Sequence, residues 1–393
     1  MPPRAPAADP ADLFAITAPG LELLTRAELL ALHVKHVKHV GIDEGGVPFG
    51  GGLEAVMRAN LWLRTASRVL VRVAEFEATT FRDLELLARQ LPWERYVAGG
   101  RPVRFRVTCR KSRLYHSDAV AQRLADAVDR RVGGARVAAG ARAADDDVEG
   151  DDDAQLFVVR FFRDRCTISA DSSGALLHRR GYRQAVAKAP LRETLAAAML
   201  DGAGWTPEAP LLDPLCGSGT IAIEAALRAR RVAPGARRRF AFEHWPAFDA
   251  ARWRAMVDEA RAGELAAASG PIQASDRDEG AIAAARANAE RAGVTADIRF
   301  DVLPVSALAP LERGPGFVIT NPPYGVRVGE RDRLRNLYVA LGNVLRARCP
   351  GWTAALLVGD HLLADQLRLP LRDAFDTSNG GIPVRLAVGP VEA

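Results

Sequence analysis

The stretch Leu211-Leu212-Asp213-Pro214-Leu215-Cys216-Gly217-Ser218-Gly219-Thr220 decides the fold. Its leucines close a short strand, Gly217 and Gly219 make a turn where backbone can approach a ligand, and Ile221–Arg230 continues as a helix. The chain beyond it keeps alternating helices with apolar runs, at Leu211-Leu212, Ile272–Ser275, Asp297–Phe300, Phe317–Thr320 and Ala354–Val358. That alternation predicts a doubly wound parallel sheet with ligands at the C-terminal ends of its strands.

Three ligands suit a glycine turn at a helix N-terminus. A nucleoside triphosphate needs Gly-Lys-Ser/Thr to bring charge to the phosphates, and here the helix begins Thr220-Ile221-Ala222, which excludes a P-loop. A dinucleotide would accept Gly217-x-Gly219-x-x-Ala222 but wants a ribose-binding acid about 20 residues on, and the next strand-ending acid, Asp276, lies far beyond that. S-adenosylmethionine carries an ammonium and a sulfonium, so an acid ending the first strand attracts it where a pyrophosphate would be repelled. Asp213 stands there, although an aspartate can also simply cap a turn.

The second strand ends at Asp276, whose two carboxylate oxygens can accept from both ribose hydroxyls. Asp278 has the position of a helix N-cap. The third ends at Asp301, which could accept from an adenine amine. Taken alone it is an ordinary turn residue; three acids after three successive strands carry more weight.

After the fourth strand comes Thr320-Asn321-Pro322-Pro323-Tyr324-Gly325. An aryl amine is a poor nucleophile because its lone pair is delocalised, so a catalyst must hold it in line and favour its pyramidal form. The Asn321 side-chain oxygen and the Pro322 carbonyl can each accept one amine proton, with two prolines fixing the backbone that presents them. Tyr324 would stack on the base. A proline turn after a strand is common; its position after the glycine turn and the acid-tipped strands favours the catalytic reading.

Outward from this half, the N-terminal part reads as α+β. Helices are expected over Leu21–Leu32, Leu53–Leu63, Phe81–Gln90 and Ser117–Val132, and strands over Leu13–Thr17, Val34–Val40, Gly45–Gly52, Ser67–Phe76, Val103–Thr108, Gln155–Phe162 and Cys166–Ala170. Residues 1–12, rich in Pro and Ala, read as a disordered tail without signal-peptide character. The Gly133–Asp153 stretch, with its aspartate runs, reads as a solvated loop to which no role is assigned. A basic segment, His178–Arg183, leads to Lys188-Ala189-Pro190 and forms a hinge at 176–192.

Composition bounds the rest. The 393 residues are 48% hydrophobic, enough for two or three domains, and no apolar run approaches the ~18 residues of a membrane span. The four cysteines are scattered, His33, His36 and His39 read as a solvated face, and no metal site is expected. The cytoplasm and a monomeric state are expected. A net charge of +5 is compatible with an anionic partner, but arginine so outnumbers lysine, beside abundant alanine, that arginine content alone says little about RNA.

Together these residues resemble the THUMP-domain guanine-N2 RNA methyltransferases, over nearly the whole chain. The resemblance rests on Asp213–Thr220, on Asp276–Asp278 with Asn288, and on Asn321–Gly325. In the N-terminal half it rests on Pro19-Gly20-Leu21-Glu22, Arg113-Leu114-Tyr115-His116-Ser117-Asp118-Ala119-Val120 and Leu177-His178-Arg179-Arg180-Gly181-Tyr182-Arg183. It implies a ferredoxin-like region at 13–65, a THUMP RNA-binding domain at 66–175 and a Rossmann-like class I methyltransferase domain with a seven-stranded sheet at 193–393.

It further implies S-adenosyl-L-methionine as cofactor, held by Asp213, Pro214, Cys216, Gly217, Gly219, Thr220, Asp276, Asp301 and Asn321, with Asn321, Pro322 and Tyr324 at a guanine N2. RNA contacts are expected from Arg110, Lys111 and Arg113 and, in the hinge, from Arg179, Arg180 and Arg183. A solvated basic face is the alternative. Ribosomal RNA of the large subunit (23S) is the favoured substrate, since a transfer-RNA branch of similar architecture tends to carry Asp where this chain has Asn321; another transfer-RNA branch stays open. The larger fused form has a second methyltransferase half for which this chain has no room. Adenine N6 methylation and a catalytically inactive RNA-binding assembly factor are the rival readings.

Overall fold

The computed structural model describes residues 11–38, 45–134, 154–184, 191–310, 314–324 and 331–392. Residues 1–10, His39 and Val40, most of the aspartate-rich loop (135–153), Lys188-Ala189-Pro190 and Gly325 lie outside them.

Strands β1 (Ala11–Thr17), β2 (Gly46–Gly51), β3 (Ala66–Glu77), β4 (Val103–Arg110), β5 (Gln155–Phe162) and β6 (Arg165–Asp171) form one sheet in the order β2-β1-β3-β6-β5-β4. Period-two patterning sets its faces: Val103, Phe105 and Val107 are buried while Arg104 and Arg106 between them stay partly open. The helices α1 (Glu22–Ala31), α2 (Leu53–Trp62), α3 (Phe81–Ala88) and α4 (Ser117–Val132) add Leu29, Met57, Leu84 and Leu124 to the same core. Pairing continues from β1 through β3 to β6, so the stretches on either side of residue 65 share one sheet.

Among the described residues, one expected strand does not form. Over its described part, Val34–Val40 makes a single bridge, Lys35 to Gly50, because His33 and His36 take left-handed φ values of 53° and 54° that break the pleat.

The second sheet contains β7 (Leu211–Asp213), β8 (Ile272–Asp276), β9 (Ile298–Val302), β10 (Phe317–Thr320), β11 (Thr353–Val358), β12 (Arg372–Asn379) and β13 (Ile382–Pro390), ordered β12-β13-β11-β10-β7-β8-β9. The helices of this half are α5 (Glu193–Gly202), α6 (Thr220–Ala229), α7 (Ala250–Ala262), α8 (Glu279–Ala292), α9 (Arg331–Arg348) and α10 (His361–Ala364). Strands β9 to β11 of this order run parallel and β13 antiparallel, making a Rossmann-like doubly wound sheet of seven strands. Chain order reverses between β7 and β10, and that switch point is where such sheets open a crevice for a ligand.

The halves are joined by apolar packing. Phe240, Phe242 and Trp245, from the excursion between α6 and β8, belong to the core of the first sheet, and Trp245 Nε1 donates to Gln155 Oε1 at 2.8 Å. Leu21 of the first half is buried in the core of the second. Gly20 makes that approach possible: a Cβ on it would stand 1.8 Å from the Asp376 carbonyl oxygen in β12.

Candidate active site

The glycine loop is fixed by its neighbours. Asp213 ends β7 fully buried, and its Oδ1 accepts from the Thr320 hydroxyl at 2.7 Å and the Leu215 amide at 3.3 Å. Desolvation outweighs those bonds and pushes its carboxyl up to about 7. Gly217 and Gly219 have φ of 51° and 82°. They do different work: a Cβ at Gly219 would meet the Ala285 Cβ of α8 at 2.9 Å, whereas one at Gly217 would meet nothing within 4 Å. Gly219 lets the helix approach, and Gly217 gives the loop its open, left-handed turn.

Asp276, at the end of β8, accepts from the Gly217 amide at 3.1 Å and from the Asp278 amide at 3.0 Å, one with each oxygen. A carboxylate oxygen has two lone pairs, so each keeps one for a ribose hydroxyl. Asp278 caps α8, accepting from the Ala281 amide at 3.1 Å. Asp301 lies 2.9 Å from Arg299 Nε on its own strand, which leaves its second oxygen to accept from an amine.

At the end of β10, Asn321 is partly exposed and Pro322 buried. The Tyr324 hydroxyl donates to Asn321 Oδ1 and accepts from Asn379 Nδ2 at 3.3 Å. Gly359 makes room for the tyrosine, since a Cβ there would come within 3.1 Å of the Tyr324 Cβ. Tyr338 of α9 donates to the Pro323 carbonyl at 3.3 Å. The turn is therefore braced before any substrate arrives, and the acceptor proposed for the base is held by Tyr324.

Several expected contact residues have other work. Arg180 is buried, its Nε 2.9 Å from Glu224 Oε1, and it donates to the Arg64 carbonyl at 2.8 Å; it is a structural cation and presents no face to RNA. Arg183 pairs with Glu193 at 3.2 Å and donates to the Thr220 hydroxyl at 2.9 Å. That contact also engages the Thr220 side chain, which is buried. Cys216 sits in the apolar core with its amide donating to the Ser275 carbonyl at 3.0 Å, and Pro214 is buried. Arg179 is partly exposed.

Arg110, Lys111 and Arg113 are exposed on one end of the first sheet. The Arg113 amide donates to Asp164 Oδ1 at 2.7 Å and the Arg163 amide to the Arg110 carbonyl at 3.3 Å, which ties the loop after β4 to the β5–β6 turn. The sequence reading did not single out the aromatics on this edge. Tyr115 is 67% exposed with its ring centroid 4.1 Å from that of His116, and Arg163 lies over Phe162. The Tyr115-His116 pair follows three nearby cations in sequence.

Comparisons with known proteins show the chain's family. The family described as "RMKL-like, methyltransferase domain" matches residues 180–387. The chain belongs to this RMKL-like methyltransferase family. Residues 12–70 match the RlmL ferredoxin-like domain and 78–171 the THUMP domain.

A Synechocystis protein named "Putative RNA methyltransferase slr0064" is 36% identical over 95% of each chain. The ribosomal RNA large subunit methyltransferase K/L of Syntrophotalea carbinolica is 38% identical over 96% of this chain, which spans only 53% of that relative's length. Among solved structures, "SMU.472, a putative methyltransferase complexed with SAH" has a TM-score of 0.84 at 28% identity, covering 98% of this chain and 99% of that one. A Listeria monocytogenes protein called a "predicted N6-adenine-specific DNA methylase" has a TM-score of 0.80 at 31% identity, covering 97% of both chains. This RMKL-like protein thus carries a methyltransferase domain behind a ferredoxin-like and a THUMP domain.

Proposed function

We propose that the chain transfers a methyl group to the exocyclic N2 amine of a guanine in RNA, with large-subunit ribosomal RNA as the favoured substrate. The observation that carries this reading is the Thr320–Asp213 hydrogen bond of 2.7 Å at the switch point, which joins the Asn-Pro-Pro-Tyr turn to the acid of the glycine loop. In this reading Asp213, Gly217, Asp276 and Asp301 hold the donor. Asn321 Oδ1 and the Pro322 carbonyl accept the two amine protons, so the nitrogen lone pair faces the sulfonium methyl; Tyr324 stacks on the base. The nitrogen–carbon bond forms as the sulfur–carbon bond breaks, leaving S-adenosylhomocysteine and a cationic nitrogen that then sheds a proton.

The exposed edge bearing Arg110, Lys111, Arg113, Tyr115 and Arg163 supports an RNA substrate, since cations hold phosphates and open rings stack on unpaired bases. The relatives' names point two ways on the nucleic acid, large-subunit ribosomal RNA for one and DNA for another, and only the second names a base, adenine at N6. Nucleoside mass spectrometry of RNA from a deletion strain, before and after adding the purified protein, separates them. Restored N2-methylguanosine supports the proposal; restored N6-methyladenosine overturns the base assignment.

A further inference from the structure

The segment that connects the two halves reaches the glycine loop from two sides, directly through Arg183 and indirectly through two side chains of α8. On one side the Tyr182 carbonyl accepts from Arg291 Nε at 2.8 Å. The same guanidinium donates to Asn288 Oδ1, and Asn288 Nδ2 donates to the Ser218 carbonyl at 3.1 Å. On the other side Arg183 donates to the Thr220 hydroxyl at 2.9 Å while pairing with Glu193. Ser218 and Thr220 flank Gly219, so both grips fall on a loop whose left-handed glycines restrain it little.

Asn288 is 1% exposed and both ends of its amide are taken, so it acts on the loop carbonyl and not on a ribose. The same connecting segment is locked to α6, where Arg180 pairs with Glu224 and the Tyr182 hydroxyl donates to Glu224 at 3.0 Å.

We propose that Arg183, Arg291 and Asn288 are positioning residues that set the glycine loop in its donor-binding form. The inference rests on the reading that this loop holds S-adenosylmethionine. A linker that only glued the halves together would contact helix bodies; this one reaches the Thr220 hydroxyl directly through Arg183 and the Ser218 carbonyl through Arg291 and Asn288 of α8. Losing a buried hydrogen bond to a charged group costs enough to change an affinity by roughly tenfold or more.

The test measures donor dissociation constants by calorimetry and methyl-transfer kinetics on the full chain for Arg291→Met, Arg291→Lys and Arg183→Lys. The lysine at 291 retains one donor and the lysine at 183 retains the ion pair with Glu193. Arg291→Met is expected to raise the donor dissociation constant and KM roughly tenfold, with kcat at saturating donor largely kept and with partial recovery in Arg291→Lys. Lower thermal stability with an unchanged donor affinity in Arg291→Met and Arg183→Lys would overturn the proposal and leave a purely structural clamp. Asp276→Ala separates the two layers: if it binds donor normally, the placement of the donor is wrong, whereas weak binding there beside normal binding in both arginine variants defeats this inference alone.

Discussion

The hydroxyl of Thr320 donates to the carboxylate of Asp213 at 2.7 Å, so the last residue of the strand before the Asn-Pro-Pro-Tyr turn is bonded to the last residue of the strand before the glycine loop. Replacing Thr320 with valine keeps the shape and removes the bond. A buried acceptor left unpaired costs about 1–3 kcal/mol. Thr320→Val should therefore lower unfolding free energy by that order in a denaturant titration and weaken both donor binding and turnover.

Burial holds the Asp213 carboxyl at about 7, far above the ordinary 3.8. Between those values the folded chain binds a proton that the unfolded chain has released, so the ligand-free fold loses stability as pH rises through this window. A cationic donor beside Asp213 favours the ionised form and its binding expels the proton. Donor affinity measured by calorimetry should then strengthen with pH up to about 7, by at most about tenfold per unit, and Asp213→Asn should flatten the profile.

Tyr324 has two separable parts. Its hydroxyl donates to Asn321 Oδ1, the proposed acceptor for the substrate amine, while its ring is the proposed stacking surface for the base. Tyr324→Phe keeps the ring and should lower kcat with little change in RNA affinity. Tyr324→Ala also loses the stacking, worth about 1–3 kcal/mol per base, and should lower kcat/KM further. Steady-state kinetics on one RNA substrate distinguish the two.

The arginines expected at RNA fall into two classes with opposite consequences. Lys111→Ala and Arg113→Ala, on the exposed edge, should weaken RNA binding and reduce the slope of log affinity against log salt by about one each, without changing stability. Arg180→Met takes from the buried Glu224 carboxylate its closest cation, leaving the Tyr182 hydroxyl and the more distant Arg64, and should cost about 1–3 kcal/mol of stability. Salt titrations of RNA binding beside thermal melts check both.

The legible parts of this protein are those where backbone chemistry forces residue type. The glycine turn, the acids at the ends of β7, β8 and β9, and the proline turn after β10 are all readable because few residues suit those positions. The hairpin β12–β13 escaped a search for apolar runs because β12 is largely exposed along its length. The long gap between Gly219 and Asp276, which spoke against a dinucleotide, holds the aromatic excursion that docks the two halves, a purpose only the packing reveals. Arg180 and Arg183 looked like RNA contacts because sequence gives charge and omits burial; their partners Glu224 and Glu193 stand far along the chain.

The most direct test of the central claim is single-turnover methyl transfer by Asn321→Ala at saturating donor, with donor affinity measured in parallel. If the Asn321 amide grips the substrate amine, transfer falls by roughly a hundredfold or more, the scale of losing one preorganised transition-state partner, while the donor dissociation constant stays within about twofold of the parent. Transfer at the parental rate would contradict the account.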